Sequence, residues 1–239
     1  MEYMIGVDIG TTSTKAVLFD DKNVVVASAN KSYALYRDLP DMAEEDLDEL
    51  FEALVSALSE VVRVADLNKG NQITAVSFSS AMHSLIAFDE DWNPLTRAIT
   101  WADTRAVKYT EELKANGIGQ QIYKNTGTPI HPMAPLSKLL WLKSEHTDTY
   151  QKAAHYLGIK EYLFHRLFGS NKMDISIASG TGLFNIFNLD WDDQALSVTG
   201  VRKEQLPQPV EPYEYETSMF EKYAALIGLP ANTPFVYGA

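Results

Sequence analysis

The hydrophobic pattern begins with two short apolar runs that flank a polar turn. Residues 4–9 and 16–19 are mostly apolar, and residues 10–15 between them read Gly-Thr-Thr-Ser-Thr-Lys. Apolar runs of this length on either side of a tight turn predict a β-hairpin. A second polar turn at residues 20–23 leads into a third apolar run at 24–29. The opening therefore predicts a three-stranded antiparallel meander.

A long helical repeat follows the meander. Asp46 is a predicted N-cap, with Glu49 in the capping-box position three residues later. Apolar residues then recur at helical spacing until the Asn68-Lys69-Gly70 stop: Leu47, Leu50, Phe51, Leu54, Leu58, Val61, Val62 and Ala65. Residues 73–79 and 84–88 are predicted strands. Three strands, a helix and a further strand predict an α/β domain with a mixed sheet.

Shorter patterns predict the rest of the chain. Five further helices are expected at residues 105–115, 136–143, 159–168, 191–196 and 220–227. Strands are expected at 98–101, 153–157, 183–186 and 235–237, and loops at 174–182 and 201–217. Lys160 lies in the first turn of its helix, where a cation is unfavourable without a partner. Because strands seldom end a domain without a polar tail, the run at 235–237 leads us to expect a following domain.

Composition narrows the class of protein. The chain has 239 residues, 46% of them hydrophobic, and a net charge of −12. An acidic protein is poorly suited to nucleic acid or an anionic membrane, so we expect neither as a partner. Cysteine is absent, and the five histidines are too scattered for a zinc site: His83, His131, His146, His155 and His165. No signal-peptide pattern or membrane-length apolar run is visible, so we expect a cytoplasmic location.

The first hairpin turn carries candidate phosphate chemistry. Gly10 allows close approach of a ligand, and Thr11, Thr12, Ser13 and Thr14 supply four consecutive hydroxyls before Lys15. Such a turn can form an anion-binding concavity. Asp8, at the end of the strand, offers carboxylate oxygens to Mg²⁺. The turn lacks the spacing of a Walker A loop, and an ordinary polar turn is the alternative interpretation.

A second group of chemically informative residues lies at predicted strand ends. It comprises His83, Trp101, Asp103 and Arg105. Each also has a structural explanation: His83 as a loop or core histidine, Asp103 as a helix cap and Arg105 as a surface residue. Together, however, they supply the hydroxyl acceptors, bidentate donors and apolar face that a polyol site needs.

Several segments, in family order, resemble the FGGY carbohydrate kinases. They are residues 8–15, 82–83, 101–105, 135–141, 160–163 and 174–181. The combination of Met82-His83-Ser84 with Thr100-Trp101-Ala102-Asp103 is most similar to the gluconate kinases of that family. Xylulose kinases usually carry Trp-Asn-Asp at the second position, and glycerol kinases an Arg-Glu pair near the first.

The resemblance implies an actin-like ATPase fold, which is ribonuclease H-like, in a kinase of two domains. Residues 1–239 would be the N-terminal sugar-binding domain. The C-terminal ATP-binding domain would be absent from this chain, which alone should be inactive, and the catalytic base would lie beyond Ala239.

The resemblance also implies roles for individual residues. ATP would be bound with Mg²⁺, with Asp8 positioning the metal and the phosphates, and Gly10, Thr11, Thr12, Ser13, Thr14 and Lys15 contacting the nucleotide. Met82, His83, Trp101, Asp103, Arg105 and Asp174 would bind the substrate. That substrate would be D-gluconate, phosphorylated at a terminal hydroxyl, with Arg105 or His83 meeting its carboxylate.

Two alternatives stay open at this point. Another kinase of the family would act on xylulose, glycerol or a different polyol. A nucleotide-dependent switch of the actin-like superfamily would bind nucleotide without sugar, but it leaves residues 101–105 unexplained. The sequence leaves a monomer and a homodimer open.

Overall fold

The computed structural model describes residues 1–238. It begins with the predicted meander, formed by β1 (Glu2–Ile9), β2 (Ser13–Asp20) and β3 (Val25–Ser32). Both strand pairs are antiparallel. The local turn signals therefore predicted this part of the fold correctly.

The long helix follows a short strand. β4 spans Glu44–Glu45, α1 spans Leu47–Ala65, and β5 spans Gln72–Ser80. Asp46 caps α1 by accepting hydrogen bonds from the backbone nitrogens of Asp48 and Glu49 at 3.0 and 3.2 Å. The predicted return contact of the capping box is wrong. The Glu49 carboxylate instead accepts from the backbone nitrogen of Ala34 and the hydroxyl of Tyr36, at 3.1 and 2.5 Å.

The remaining elements are short. The strands are β6 (Ile86–Phe88), β7 (Ala98–Ile99), β8 (His155–Leu157), β9 (Lys172–Asp174), β10 (Phe184–Asn185), β11 (Asp190–Trp191), β12 (Gln208–Val210), β13 (Tyr215–Glu216) and β14 (Phe235–Val236). The helices are α2 (Val107–Ala115), α3 (Ile118–Thr126), α4 (Pro135–Glu145), α5 (Thr147–Lys152), α6 (Ile159–Phe168), α7 (Ile175–Ser179), α8 (Asp193–Thr199) and α9 (Glu221–Ile227). Two 3₁₀ turns span Leu67–Lys69 and Lys203–Gln205.

Six strands form the central mixed sheet in the order β13-β14-β5-β1-β2-β3. β5 is parallel to both β1 and β14. One face of the sheet packs against α1, α6 and α9, so that Ile5 and Val7 are buried. The alternate residues Met4 and Asp8 are exposed on the opposite face, as the period of two in a strand requires.

A second hydrophobic core lies under α2, α3, α4 and α8, with Leu139, Trp141 and Phe184 among its members. β6 connects the two cores. Its Ile86 and Phe88 belong to the sheet core, and Ala87 between them belongs to the helical core. The segment between β5 and β6 therefore leads directly into a strand that is packed between the two cores.

Several predicted boundaries were wrong. The predicted loop at residues 174–182 contains α7, and the predicted loop at 201–217 contains β12 and β13. The predicted strand at 98–101 ends at Ile99, and α3 and α5 were not predicted. These short elements depend on distant partners rather than on local pattern. Within residues 1–238, no helix is both long and apolar enough to cross a lipid bilayer.

Candidate functional site

Hydrogen bonds within the turn and from Tyr33 hold the turn between β1 and β2 in place. The backbone nitrogen of Gly10 donates to the Ser13 carbonyl at 2.9 Å, and the Tyr33 hydroxyl donates to the Gly10 carbonyl. The backbone nitrogen of Tyr33 also donates to the Thr12 carbonyl at 3.1 Å. Thr12 is exposed, while Thr11 and Ser13 are partly exposed. The structure thus presents hydroxyls of the predicted phosphate turn at the surface.

Thr14 departs from that arrangement. Its side chain is fully buried, and its hydroxyl lies 3.4 Å from the Tyr33 hydroxyl. The expectation that all four consecutive hydroxyls face one ligand is therefore corrected. The alternation of buried residues along β2 explains the difference, since Thr14, Ala16 and Leu18 all face the core.

Asp8 and Lys15 lie directly opposite each other on β1 and β2. Both side chains are exposed, and Ser79 is the partner of Asp8 on the other side, in β5. Cross-strand partners project from the same face of a sheet. The predicted metal ligand and the predicted phosphate-binding lysine therefore share one polar surface beside the turn.

Trp101 connects the two predicted residue groups. Its indole Nε1 donates a hydrogen bond to the Thr11 hydroxyl at 2.8 Å, across 90 positions of sequence. The side chain is 48% exposed, so an indole face is open to solvent. This hydrogen bond places Trp101, one member of the predicted sugar-binding group, directly beside the predicted phosphate turn.

His83 and Met82 lie in the connection from β5 to β6. His83 has a left-handed backbone with φ of 67°. Its ring Nδ1 lies 2.7 Å from the Gly180 carbonyl, and a Cβ added to Gly180 would be 2.5 Å from Met82 Cε. Because a carbonyl only accepts, Nδ1 carries the proton in this contact. In the neutral ring, Nε2 is then an acceptor for a ligand hydroxyl.

The surroundings favour that neutral ring. Burial lowers the pKa of His83, and the nearby positive charges of Lys138 and His131 lower it further, outweighing the opposing effect of the hydrogen bond to Gly180. Lys138 donates to the backbone carbonyls of His83 and Met133. Burial lowers the pKa of Lys138 itself to about 7.

Asp103 and Arg105 form a hydrogen-bonded network with the chain around Ala43 and Glu44. Asp103 Oδ2 accepts from the backbone nitrogen of Ala43 at 3.0 Å, and Oδ1 accepts from that of Arg105 at 3.1 Å. Arg105 Nη2 lies 2.7 Å from Asp103 Oδ2 and 2.5 Å from Glu44 Oε1. Its guanidinium carbon is 4.3 Å from the ring centroid of Trp141. Two carboxylates therefore compensate the charge of Arg105, whose side chain is only 12% exposed, so the alternative interpretation of Arg105 as a surface residue is wrong.

Asp174 is fully buried and does not face the surface where a ligand could bind. The side chain has no exposed surface, and its Oδ2 lies 2.5 Å from Lys160 Nζ. Its Oδ1 caps α7 by accepting from the backbone nitrogens of Ser176 and Ile177, at 3.1 and 3.2 Å. Gly180, which contacts His83, follows the end of α7. The sequence-based role of Asp174 as a direct sugar ligand is therefore corrected to a supporting position.

Three groups near the site were not assigned a role from sequence. They are Lys138, His131 and Glu161. Burial raises the pKa of Glu161 to about 7, although the positive charge of Lys160 acts in the opposite direction. One signal was present for Lys138: it is a lone cation within the apolar run Leu136-Ser137-Lys138-Leu139-Leu140-Trp141. Its partners are backbone carbonyls, which sequence does not reveal.

A magnesium ion would have few protein ligands here. No group of three or more histidine or acidic side chains converges on a metal position within residues 1–238. Asp8 offers an exposed carboxylate on the strand that leads into the turn. Such a donor suits an ion whose other ligands are water and phosphate, which is the usual coordination of Mg²⁺ with nucleotides.

The fold and site together define a class. A mixed sheet that opens with an antiparallel meander, crosses through a helix to a parallel strand, and carries a polar turn in its first hairpin is an actin-like ATPase domain. The chain belongs to the FGGY family of carbohydrate kinases, because the profile of that family's N-terminal domain matches residues 3–239.

Individual relatives are similar over the whole chain. The gluconokinase of Bacillus licheniformis is 44% identical over 237 residues, which are 99% of this chain and 46% of the relative. The crystal structures of gluconate kinase and of ligand-bound xylulose kinase from Lactobacillus acidophilus each match with a TM-score of 0.96 and 40% identity. Each match covers 100% of this chain and 48% of the other. The chain thus spans about half the length of these relatives.

Proposed function

We propose that the protein carrying this chain transfers the γ-phosphoryl group of ATP to the terminal hydroxyl of a sugar acid, D-gluconate. The observation that carries this proposal is the hydrogen bond from Trp101 Nε1 to the Thr11 hydroxyl, since it joins a phosphate turn to a polyol surface. The similarity to the gluconokinase of B. licheniformis supports the choice of substrate.

The phosphate side of the site would consist of the hairpin turn and its neighbours. Gly10, Thr11, Thr12 and Ser13 would face the phosphates of ATP, and Asp8 would hold Mg²⁺ or its water ligands. A Cβ added to Gly10 would have the Ser13 carbonyl oxygen, at 3.4 Å, as its nearest neighbour. The space beside Gly10 is therefore uncrowded, which supports the binding of a ligand there. Mg²⁺, when bound, neutralises charge on the transferred group. Lys15 would add a positive charge on the same face.

The sugar side would use the groups around Trp101. The exposed indole would cover the sugar carbons, Met82 would pack beside them, and His83 Nε2 would accept from a sugar hydroxyl. Asp103 would hold Arg105, whose hydrogen bonds come from Nε, Nη2 and the backbone nitrogen. Nη1 is therefore the atom with which Arg105 would meet a substrate carboxylate.

The transfer step also needs a base for the hydroxyl proton. Asp8 lies on the phosphate side and Asp103 is committed to Arg105, so neither is proposed for that role. We expect the base beyond Ala239. Closure of a second domain over this site would exclude water and limit ATP hydrolysis. A cytoplasmic location remains a prediction from the sequence alone, and a homodimer remains one of two open possibilities.

Xylulose is the second candidate substrate. The ligand-bound xylulose kinase structure from L. acidophilus matches this chain as well as the gluconate kinase structure does. D-gluconate carries a carboxylate at the end opposite its terminal hydroxyl, whereas D-xylulose is an uncharged ketose. The choice between them therefore depends on the charge that meets that end.

Calorimetric titration and a substrate panel test the proposal. The 239-residue chain would be titrated with D-gluconate, D-xylulose and glycerol, and the full-length protein would be assayed for ATP-dependent phosphorylation of each. Selective gluconate binding and phosphorylation are expected. Selective phosphorylation of xylulose would make the second candidate correct. Failure of the full-length protein to bind or phosphorylate any of the three would refute the kinase proposal in this form.

A further inference from the structure

Lys138 is an unusual residue to find in the interior of a protein. It lies in the first turn of α4 with no exposed surface. Its ammonium donates to the carbonyl oxygens of His83 and Met133, the second at 2.7 Å. Among the described residues, Lys138 forms no ion pair with a carboxylate, unlike lysines such as Lys31 and Lys203, which pair with Glu60 and Asp190. Burying a cation without a carboxylate partner is unfavourable. An apolar side chain would fill this position in α4 without that penalty.

The contact partner of Lys138 is itself strained. His83 has a positive φ without being glycine, a conformation that persists only where the surroundings enforce it. The ring is fixed by the Gly180 carbonyl, 2.7 Å from Nδ1. The backbone carbonyl is fixed by Lys138. Two contacts on two sides of one residue therefore set the direction of the imidazole.

We propose that Lys138 is a positioning residue that holds His83 in its left-handed conformation and so aims Nε2 of the imidazole at the substrate hydroxyls. The inference rests on the proposed function, because it gives His83 a sugar to meet. Lys138 acts through the His83 carbonyl and also connects it to Met133, just before α4. The segment between β5 and β6 is thereby tied to the helical core at the point where the sugar would bind.

The ammonium has a second consequence for the same imidazole. Burial is the main cause that lowers the pKa of the His83 imidazole, and the positive charge of the ammonium lowers it further. A neutral ring with the proton on Nδ1 accepts at Nε2 and can meet the hydroxyl of a polyol. Lys138 would thus set both the orientation and the protonation state of His83.

The experiment compares Lys138→Met with Lys143→Met. Both residues belong to α4, but the Lys143 side chain is exposed and its ammonium contacts the Val198 carbonyl at 3.3 Å. Two readouts are measured: the titration midpoint of the His83 imidazole by NMR in the 239-residue chain, and gluconate and ATP affinities in the full-length protein. Circular dichroism establishes that each variant is folded.

For Lys138→Met we expect an upward shift of the His83 midpoint, because a nearby positive charge has been removed. We also expect gluconate affinity to fall about tenfold or more, since small misplacements of a binding group are costly, with ATP affinity unchanged. Lys143→Met should match the wild type in both readouts. A folded Lys138→Met protein with the wild-type His83 midpoint and wild-type gluconate affinity would overturn the inference.

A second variant covers the case in which Lys138→Met does not fold. Lys138→Gln keeps one donor but removes the charge. A raised His83 midpoint with weaker gluconate binding supports the inference, and wild-type values of both contradict it. If the wild-type protein binds no sugar, the proposed function fails, while the His83 midpoint still tests whether Lys138 controls that imidazole.

Discussion

The ammonium of Lys160 lies 2.5 Å from Oδ2 of Asp174, and neither side chain has more than 1% of its surface exposed. Lys160 also donates to the Tyr237 carbonyl at 3.0 Å. One buried ion pair therefore joins the start of α6, the start of α7 and the end of β14. The cation in the first turn of α6, unfavourable from sequence, has the partner that its position requires.

Breaking this pair from one side should strongly destabilise the fold. Lys160→Met leaves the Asp174 carboxylate buried without a counter-charge, and we expect the free energy of unfolding to fall by about 3–5 kcal/mol. Adding Asp174→Asn, which keeps an oxygen for capping α7, should recover much of that loss. Urea unfolding of the single and double variants measures both effects.

The control for that prediction is an exposed ion pair. Lys203 and Asp190 are 54% and 42% exposed, so Lys203→Met should cost less than about 1 kcal/mol. Equal losses for Lys160→Met and Lys203→Met would contradict a special role for the buried pair.

A buried acid should make stability depend on pH. Glu45 has no exposed surface, and neither of its carboxylate oxygens has a hydrogen-bond partner within the described residues. Burial raises its pKa from 4.5 to about 8. The folded state therefore holds a proton that the unfolded state releases at lower pH, so stability should decrease as pH rises between these values, by at most about 1.4 kcal/mol per unit.

Glu45→Gln should remove that contribution. The variant and the wild type are expected to have similar unfolding midpoints at pH 5, with the variant gaining relative stability toward pH 8. Other buried groups, Glu161 among them, titrate in both proteins, so the difference between the two is the informative quantity. Glu52→Gln, an exposed change on α1, serves as the control. A variant that tracks the wild type at every pH would show that Glu45 is ionised in the folded state.

The link between Trp101 and Thr11 is testable by a double-mutant cycle. Trp101→Phe keeps an apolar ring but removes the indole donor, and Thr11→Val removes the hydroxyl acceptor. Each should weaken gluconate binding in the full-length protein, and the double variant should lose less than the sum, with a coupling of about 0.5–1.5 kcal/mol. Tyr123→Phe, on the exposed part of α3, should leave binding unchanged. Strictly additive losses would mean that the hydrogen bond does not contribute to binding.

The sequence predicted those parts of the fold that depend on local pattern. The meander, α1 and β5 have strong periodicity and clear turns, and they lie close to where the sequence placed them. α7 was missed because Ile175–Ser179 is only five residues long and four of its residues, two Ile and two Ser, have only intermediate helix propensity. Its capping carboxylate, Asp174, is held by Lys160 from another helix, a contact that local pattern does not contain.

The site was predicted as a set of residues but not as a set of contacts. The sequence could place Trp101 and Thr11 in one site only through a family resemblance, since 90 positions separate them. The partner of Arg105 in β4, Glu44, lies 61 positions away and carries no motif. The inward direction of Thr14, by contrast, could have been read from the alternation along β2.

Arg105 offers the sharpest distinction between the candidate substrates. In the full-length protein, Arg105→Ala should weaken gluconate binding far more than ATP binding. The change also leaves Asp103 and Glu44 without their cation, so a loss of stability is expected, and affinities should be measured well below the unfolding midpoint. If Nη1 meets the substrate carboxylate, gluconate affinity should fall by at least about tenfold more than xylulose affinity, since only gluconate carries that charge. Equal losses for the two sugars would mean that Arg105 only holds Asp103 and Glu44 in place, and the carboxylate would then have to be met elsewhere.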